Sequence, residues 1–596
     1  MPRSSGLPRR DETAALIAVA RGTMPADLVI RDGVLADVYT GELLEGWGVA
    51  ILGTRIAEVG PEVDRCIGPA TTVIEAEGQV IAPGFIDGHA HLDCIHRLDL
   101  YLAAAIPTGL TTLITETSFL SSVGGYPAVA GFLAHLPHLP ITTLATAPTI
   151  SYLLSDRGDG QPMITTEEMA RLLEEPGVVG LGECYWPAVL EGWADLHLLI
   201  AKAEALGKPA EGHTAGARGG KLAACVAAGI GSCHEPITAE EVLERLRLGL
   251  YTMVRDGSVR RDIRALDGGL KGTSPRRLIL ASDTVWAHHL LERGYLDEAA
   301  RRGVAMGLEP MQALQAITLT PAEHFRIESR VGGLAPGRQA DVVLIPDLAR
   351  FRPSLVMARG RIVAQDGRMT VAVSPLVLRE EVFPRPRVPR PLGLADLRVP
   401  APPGRRRVKV RVIQFIGEIV TQDALRDLAP RDGALHADPE ADLLKVVALD
   451  RRGHGQIARG FVAGYGLCRA ALAASISFDT VNLILLGDND ADMLVAAERM
   501  LALGGGLVVA SEGAIRAEVP FPLGGVTSDQ PMRVLAGQIE GFQRALHGLG
   551  CIRENPILSA QVVTFTAIPA LRIRERGLWD VRRNQAVPLI LDDGEG

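Results

Sequence analysis

The sequence predicts an α/β protein built on a (β/α)8 barrel, with a small flanking β domain and a further C-terminal α/β domain. Three observations support this prediction. The middle of the chain repeats a unit of apolar strand, polar strand end and helix eight times. Two β-rich segments of similar style flank that repeat. A stretch rich in proline and arginine then separates it from a second region of alternating strands and helices.

The composition is that of a globular protein. Hydrophobic residues make up 47% of the 596 residues and charged residues 22%, which excludes disorder as the main state. The net charge of −9 argues against a broad phosphate-binding surface, and the 4% of aromatic residues argues against stacking platforms for bases. We therefore expect a small-molecule substrate and no nucleic-acid partner.

The N-terminal residues and the cysteines predict the cellular compartment of the protein. Residues 1–25 form an N-terminal extension that is basic but lacks the apolar core of a signal peptide. No apolar stretch approaches the 18 or so uninterrupted residues typical of a membrane span. The seven cysteines contain no C-x-x-C pair. These features predict a cytoplasmic protein without a membrane partner, and we expect a homo-oligomer.

The small β domain is predicted from two separate segments, residues 26–82 and 325–375. Each consists of short apolar runs separated by turn signals such as Asp-Gly and Gly-Thr. Because the two segments share this style and enclose the repeat, we expect them to form one composite domain beside the barrel.

The barrel is predicted to span residues 83–324, with its first strand beginning in the preceding segment. Stretches such as TTEEMARLLEE and DLHLLIAKAEALG between the strands have helical spacing. Eight strand–helix units in a segment of this size match a (β/α)8 barrel. The predicted strands are 78–87, 109–116, 141–149, 177–183, 207–213, 229–234, 249–255 and 277–283.

Residues 376–407 are predicted to be an extended, semi-rigid linker, because proline and arginine dominate them. Residues 408–596 follow as a C-terminal α/β domain. Strand-like runs there include VKVRVIQFI, LLKVVALD, NLILLG and GGLVVA, and DADMLVAAERMLAL is helix-like.

Polar residues at the strand ends predict a metal site. His89 and His91 end the first barrel strand in PGFIDGHAH, and a spacing of two on a strand directs both imidazoles to one side. Further metal-ligating side chains end four other strands, at the carboxyl end where barrel enzymes keep their sites. Four imidazoles and two carboxylates suit two divalent metals of the Mn, Fe or Zn type, with one carboxylate bridging. The six predicted ligands are His89, His91, Glu183, His213, His234 and Asp283.

This constellation resembles the amidohydrolase superfamily, and within it the adenine deaminases, over nearly the whole chain. PGFIDGHAH, GLGE, AAGIGSCHE, RDGS at 255–258 and PAEHFRIESRVGGLAPGRQADVVL carry the resemblance in the first part of the chain. DLLKVVALDRRGHG, RGFVAGYGL, DMLVAAERMLALGGGLVV and PFPLGG carry it in the C-terminal part. Glu183 stands where many superfamily members have a carboxylated lysine as the bridge.

The resemblance implies hydrolytic deamination. Two metals that share a water molecule lower its pKa and supply hydroxide, which can attack a carbon such as C6 of adenine. Asp283 would accept a proton on attack and return it to the departing nitrogen as ammonia leaves. Glu235 would address a ring nitrogen, or else orient the ligand His234. Arg255 would touch the substrate or form a salt bridge.

The chain departs from the family pattern near the substrate. Leu92-Asp93-Cys94-Ile95 stands where the family has I-E-S-S, and Glu116-Thr117-Ser118-Phe119 where it has D-P-H-E. Phe478-Asp479-Thr480-Val481-Asn482 replaces H-D-S-H-N. We expect deamination of adenine, the leading candidate, or of a related amino-substituted nitrogen heterocycle, with Asp93, Glu116 and Ser118 near the substrate. The departures favour a less polar or bulkier ring over adenine itself. Two alternatives stay open: an amidohydrolase that opens a cyclic amide, as hydantoinase-like relatives do, and a metal-free barrel scaffold.

Overall fold

The computed structural model describes residues 10–149, 163–270, 272–478, 480–568 and 570–591. Eight parallel strands form the barrel, the first five paired in one arc and the last three in another. Parallel bridges between Ala90 and Asp283 and between Ala210 and Ile230 join the two arcs, so the ring closes and the predicted barrel is confirmed. The strands are Phe85–Ala90, Leu110–Thr115, Thr142–Ala147, Val178–Tyr185, Ala210–His213, Ser232–Cys233, Tyr251–Arg255 and Leu278–Ala281.

Helices cover the outside of the barrel, which explains why its strands are buried along almost their whole length. The helix predicted from TTEEMARLLEE begins with a capping box, in which Thr165 and Glu168 bond each other's backbone N–H groups. The α-helices of this part are Leu98–Ala105, Ser118–His135, Thr166–Glu174, Trp186–Leu190, Ala194–Ala205, Gly220–Ala227, Ala239–Arg247, Ala287–Arg293, Leu296–Ala305, Pro310–Ala316 and Leu319–His324.

The predicted first strand, residues 78–87, is wrong because it joins two strands of different sheets. Val80–Pro83 pairs within the small β domain, whereas Phe85–Ala90 belongs to the barrel. Gly84 separates them and packs so closely on Thr111 that an added Cβ would lie 2.1 Å from its Oγ1. The sequence shows one apolar run there because both strands are buried.

The small β domain contains two sheets, and the larger draws strands from both sides of the barrel, as predicted. Its order is Arg368–Met369, Arg361–Gln365, Leu355–Ala358, Val342–Ile345, Val80–Pro83, Val34–Asp37 and Glu42–Glu45. The other sheet has the order Arg55–Gly60, Gly48–Leu52, Leu28–Arg31 and Thr72–Glu75, and helix Arg10–Ala20 packs against it.

The C-terminal region is built around one nine-stranded sheet. Helix Asp490–Ala502 covers one part of it, and helices Met532–Gly548 and Pro556–Gln561 face the barrel side. The strand order is Thr421–Leu428, Val408–Phe415, Ile457–Ala463, Leu443–Leu449, Leu483–Gly487, Ala471–Ala474, Gly506–Ser511 and Ala514–Pro520, with Ile590–Leu591 also on Val408–Phe415. A small sheet follows, Leu571–Arg574, Gly577–Asp580 and Gln585–Val587, and Val399–Pro400 pairs with Ala434–Leu435.

Residues 376–407, expected to be a linker, lie against neighbouring structure. Phe383 is buried, and the Arg385 guanidinium donates to the carbonyl of Pro522. The Arg387 N–H donates to the carbonyl of Arg451. One short helix, Leu394–Leu397, lies inside this segment. Residues 376–407 are therefore a packed crossover segment between the two halves of the chain, and not a free linker.

One described helical stretch, Ser118–His138, has the length and composition that a membrane crossing needs. In this protein 61% of its most apolar window is buried against other parts of the chain. A core helix of the barrel passes the same test, so the stretch is weak evidence for a membrane span.

Candidate functional site

The six predicted ligands come together at the carboxyl end of the barrel. Each lies within two residues of the end of its strand, and each side chain is at most 14% exposed. Because parallel strands of a barrel end on one face, side chains distant in sequence meet there. The cluster consists of His89, His91, Glu183, His213, His234 and Asp283.

Glu183 occupies the centre of the cluster. Its Oε1 lies 3.4 Å from His89 Nε2 and 3.5 Å from His91 Nε2. The same oxygen lies 3.1 Å from His234 Nε2 and 3.8 Å from His213 Nδ1. One carboxylate oxygen of Glu183 thus faces all four imidazoles.

Asp283 completes the side of the cluster formed by the first strand. Its Oδ1 lies 3.6 Å from His89 Nε2 and 3.5 Å from His91 Nε2. Its φ of 59° is rare for a residue other than glycine and is typical of functional sites. The Asp283 N–H donates to the carbonyl of His89, and the His91 N–H donates to the carbonyl of Asp283. This pairing fixes the carboxylate against both histidines.

The cluster fits divalent transition metals. His89 Nε2 and both ring nitrogens of His213 are buried without a hydrogen-bond partner among the described residues, although carboxylates face them. Buried polar atoms normally have partners, so unpaired nitrogens that converge on one point indicate a cation. Among the described residues, three groups have potential ligand atoms within 4.8 Å of one another: His89, His91 and Asp283; His89, Glu183 and His234; His213, His234 and Glu235.

The electrostatics of the cluster follow from burial and close charges. Burial favours neutral His91, but Glu183 and Asp283 outweigh it and raise the pKa of His91 to about 9. Burial also favours neutral Glu183, yet the surrounding imidazoles hold the pKa of this carboxyl well below its usual range. Metal ions compete with protons for such nitrogens, since a histidine ligand must be neutral.

Arg255 links the two carboxylates predicted to be catalytic. Its Nη1 donates to Glu235 Oε1 at 2.5 Å and to Asp283 Oδ2 at 3.3 Å, and its Nε donates to Asp262 Oδ2 at 2.9 Å. All four groups are buried. Arg255 forms the salt bridges that one alternative predicted. It also lines the cavity above the cluster, and its contact with the substrate stays a prediction.

The four residues expected near the substrate fall into two groups. Ser118 and Arg255 line the cavity above the cluster. Asp93 is not among its lining residues, because its Oδ2 accepts the N–H groups of Phe119 and Leu120 at the start of helix Ser118–His135. Glu116 is 1% exposed and lies behind His89, with its Oε1 3.8 Å from His89 Nδ1. Neither Asp93 nor Glu116 lines the cavity above the cluster.

The sequence did not reveal most of the residues that form the opposite wall of the cavity. They come from the C-terminal region, and no motif or spacing marks them. Asp262, which pairs with Arg255, was also missed, although its position seven residues after Arg255 was a usable signal. The residues missed on that wall are Ile419, Leu558, Val562, Phe565 and Ile568.

Two family models match the chain. Residues 80–363 match the amidohydrolase family, and residues 418–585 match the adenine deaminase C-terminal domain. The barrel and its cluster therefore belong to a metal-dependent amidohydrolase, a hydrolase that acts on carbon–nitrogen bonds.

Proteins similar in sequence identify the family within the amidohydrolases. An adenine deaminase of Moorella thermoacetica is 37% identical over 98% of this chain and 99% of its own length. One of Rubrobacter xylanophilus is 36% identical over 96% of both chains, and one of Clostridium botulinum is 32% identical over 98% of this chain and 99% of its own. The chain belongs to the adenine deaminase family. A cyclic-amide hydrolase and a metal-free scaffold are not favoured.

Proposed function

We propose that this chain is a hydrolytic deaminase that releases ammonia from adenine or a related amino-substituted nitrogen heterocycle and works with two divalent ions of manganese, iron or zinc. The observation that carries the proposal is the central Glu183 oxygen, which lies 3.1–3.8 Å from nitrogens of four imidazoles. The full-length likeness to adenine deaminases supports the substrate class.

The six clustered residues would hold the ions. Bound there, two divalent ions would supply a water nucleophile of lowered pKa and polarise the substrate. Asp283 would accept a proton from the water as it adds to the amino-bearing ring carbon. It would then donate that proton to the nitrogen, so that ammonia and not an amide anion leaves.

Glu235 would act on the substrate ring. Its carboxylate lies 3.3 Å from His234 Nε2 and 3.7 Å from His213 Nδ1, at the edge of the cluster. From there it would hydrogen-bond a ring nitrogen where negative charge develops. Arg255 holds Glu235 and Asp283 at fixed positions, which orients both proton-handling groups before the substrate binds.

The test is ammonia release by the full chain loaded with Mn²⁺, with adenine and other amino-heterocycles as substrates. We expect ammonia in stoichiometric amounts with the oxo product, and two metal ions per chain by elemental analysis. Opening of a cyclic amide without ammonia would contradict the proposal. His213→Ala should reduce the metal content, which is a readout independent of turnover.

The compartment and assembly are part of the proposal. All seven cysteines are free thiols in the structure, which supports a reducing compartment such as the cytoplasm. A homo-oligomer remains a prediction, and light scattering of the purified chain tests it.

A further inference from the structure

The cavity above the cluster has a charged floor and an apolar wall. The floor carries the charged cluster together with Glu235 and Arg255. The opposite wall is apolar, and most of it comes from the chain beyond residue 400. Its side chains are Phe119, Ile419, Phe478, Val481, Leu558, Val562, Phe565 and Ile568.

Three phenylalanines make this wall continuous. The Phe478 ring centroid lies 6.2 Å from that of Phe119 and 5.4 Å from that of Phe565. The Phe565 ring in turn stands edge-on to the ring of His213, 5.8 Å away. The aromatic surface therefore begins beside the cluster, and a planar ring bound there contacts it directly.

Adenine presents polar groups along most of its edge: besides the amino group it has three acceptor nitrogens and one N–H donor. Among the described residues, those of the apolar wall offer no polar side-chain atom, and the polar lining residues outside the charged floor are Ser118, Ser122, Tyr185, Arg260 and Thr284. Ser118 Oγ is buried without a hydrogen-bond partner among the described residues. The Arg255 guanidinium is already shared among carboxylates. Ring nitrogens turned towards the phenylalanines would lose water without replacement, which costs affinity.

Resting on the deaminase function proposed above, we infer that the preferred substrate is an amino-heterocycle with an apolar substituent on the ring edge remote from its amino group. With the amino-bearing carbon at the cluster, that edge faces the three phenylalanines. A methyl group buried there contributes roughly fourfold in affinity. Replacing an unpaired N–H donor removes a further penalty of about five- to a hundredfold.

The experiment measures kcat/KM of the full-length, Mn²⁺-loaded protein for adenine, 8-methyladenine and 9-methyladenine. We expect 9-methyladenine to exceed adenine by about tenfold or more, with 8-methyladenine between them. An equal or higher value for adenine overturns the inference and leaves the deaminase function standing. No ammonia from any of the three also overturns the inference, and the wider panel of amino-heterocycles described above then decides whether the deaminase function stands.

A substitution tests whether the apolar wall causes the preference for the methylated substrate. Phe478→His places a polar ring of similar size among the phenylalanines and should lower the ratio of 9-methyladenine to adenine kcat/KM several-fold. Leu425→His is the matched control, because Leu425 is 44% exposed and does not line the cavity. An unchanged ratio in Phe478→His overturns the inference.

A binding measurement keeps the test decisive if Phe478→His folds poorly. Calorimetry on the wild-type protein compares the two oxo products, hypoxanthine and 9-methylhypoxanthine. We expect the methylated product to bind about tenfold more tightly or better. Equal binding would contradict an apolar wall that selects the substituent. The more conservative Phe565→Tyr, which adds one hydroxyl beside His213, should shift the same ratio in the direction of the unmethylated product.

Discussion

Single residues at the barrel mouth combine several tasks, and Asp283 combines the most. It closes the ring of strands through its backbone, lies 3.5–3.6 Å from two imidazoles and pairs with Arg255. Its left-handed backbone turns the carboxylate towards the cluster. Geometry of this kind is maintained only because the surrounding hydrogen bonds determine it fully.

Asp283→Asn should keep the fold and abolish most turnover, because asparagine retains the shape and cannot accept a proton. Loss of a general acid–base group lowers kcat by about 10²–10⁴-fold. The measurement is kcat together with metal content and the melting temperature. Asp427→Asn, at an exposed position of strand Thr421–Leu428, is the control and should leave all three unchanged. Near-full turnover of Asp283→Asn would show that another group moves the proton.

Arg255→Met should destabilise the protein as well as inactivate it. Without the guanidinium, the buried carboxylates of Glu235, Asp262 and Asp283 lose the cation that they share. Breaking a buried ion pair by removing one partner typically costs about 3–5 kcal/mol. Thermal unfolding checks this, with Arg533→Met at an exposed position as the control. An unchanged melting temperature would mean that water replaces the guanidinium.

Asp341 should make the stability depend on pH. Burial raises the pKa of this carboxyl to about 6, although the Arg359 N–H and the Gln339 side chain donate to it. A carboxyl whose pKa is raised on folding favours the folded state below its unfolded pKa. That contribution is lost as pH rises through about 6.

The free energy of unfolding of Asp341→Asn should therefore increase relative to that of the wild type as pH rises from about 4 to 7, by at most about 3 kcal/mol. Melting temperatures of both proteins at each pH measure the difference, so that titrations common to the two cancel. A difference that stays constant with pH would rule out the titration of Asp341 as its source.

At the scale of elements, helix Ser118–His135 connects the cavity to the crossover segment. Its first turn carries Ser118 and Phe119, and the helix is kinked at Gly125, where φ is 63°. One residue earlier, Gly124 packs against the backbone of Val382, and an added Cβ would lie 2.0 Å from that carbonyl oxygen. The position of the crossover segment and the position of the cavity residues are therefore coupled.

Gly124→Ala should push helix Ser118–His135 away from the crossover segment. This should lower the free energy of unfolding by about 1–3 kcal/mol and also lower kcat/KM. Gly537→Ala is the matched control in helix Met532–Gly548, where nothing lies within 4 Å of an added Cβ. The free energy of unfolding of Gly537→Ala should rise by up to about 1 kcal/mol, because alanine favours a helix more than glycine does. Equal melting temperatures for the two variants would contradict the tight packing at Gly124.

At the scale of the whole molecule, barrel and C-terminal region share one continuous hydrophobic core. The loop after the first barrel strand also pairs with the C-terminal region, since the Ile95 N–H donates to the carbonyl of Val526 and the Ser528 N–H donates to that of Ile95. The C-terminal region therefore builds part of the site as well as covering it.

A chain cut near residue 400 should lose turnover, because most of the apolar cavity wall lies beyond the cut. The exposed apolar surface should also promote association. Activity, metal content and light scattering of the truncated chain test this. A monodisperse and fully active truncated barrel would contradict the role of the C-terminal wall.

The sequence was sufficient for the repeated strand–helix pattern and for the polar residues that end the strands. Strand periodicity is local, and strand ends of a barrel share one face, so His89, Glu183 and Asp283 could be placed together without coordinates. Asp93 and Glu116 could not be assigned in this way. Adjacency to a motif does not tell whether a carboxylate faces the substrate, caps a helix or lies behind a ligand.

What the sequence determined by itself is the barrel, its composite β domain and a cluster of four imidazoles and two carboxylates, because local patterns encode each of them. Only the tertiary structure decided what lies opposite that cluster. Ile419, Leu558 and Phe565 lie in separate segments of the C-terminal region, outside its strands, and share no spacing with the barrel motifs. They meet the cluster through long-range packing of apolar surface, which is non-directional and leaves no local signal in the sequence.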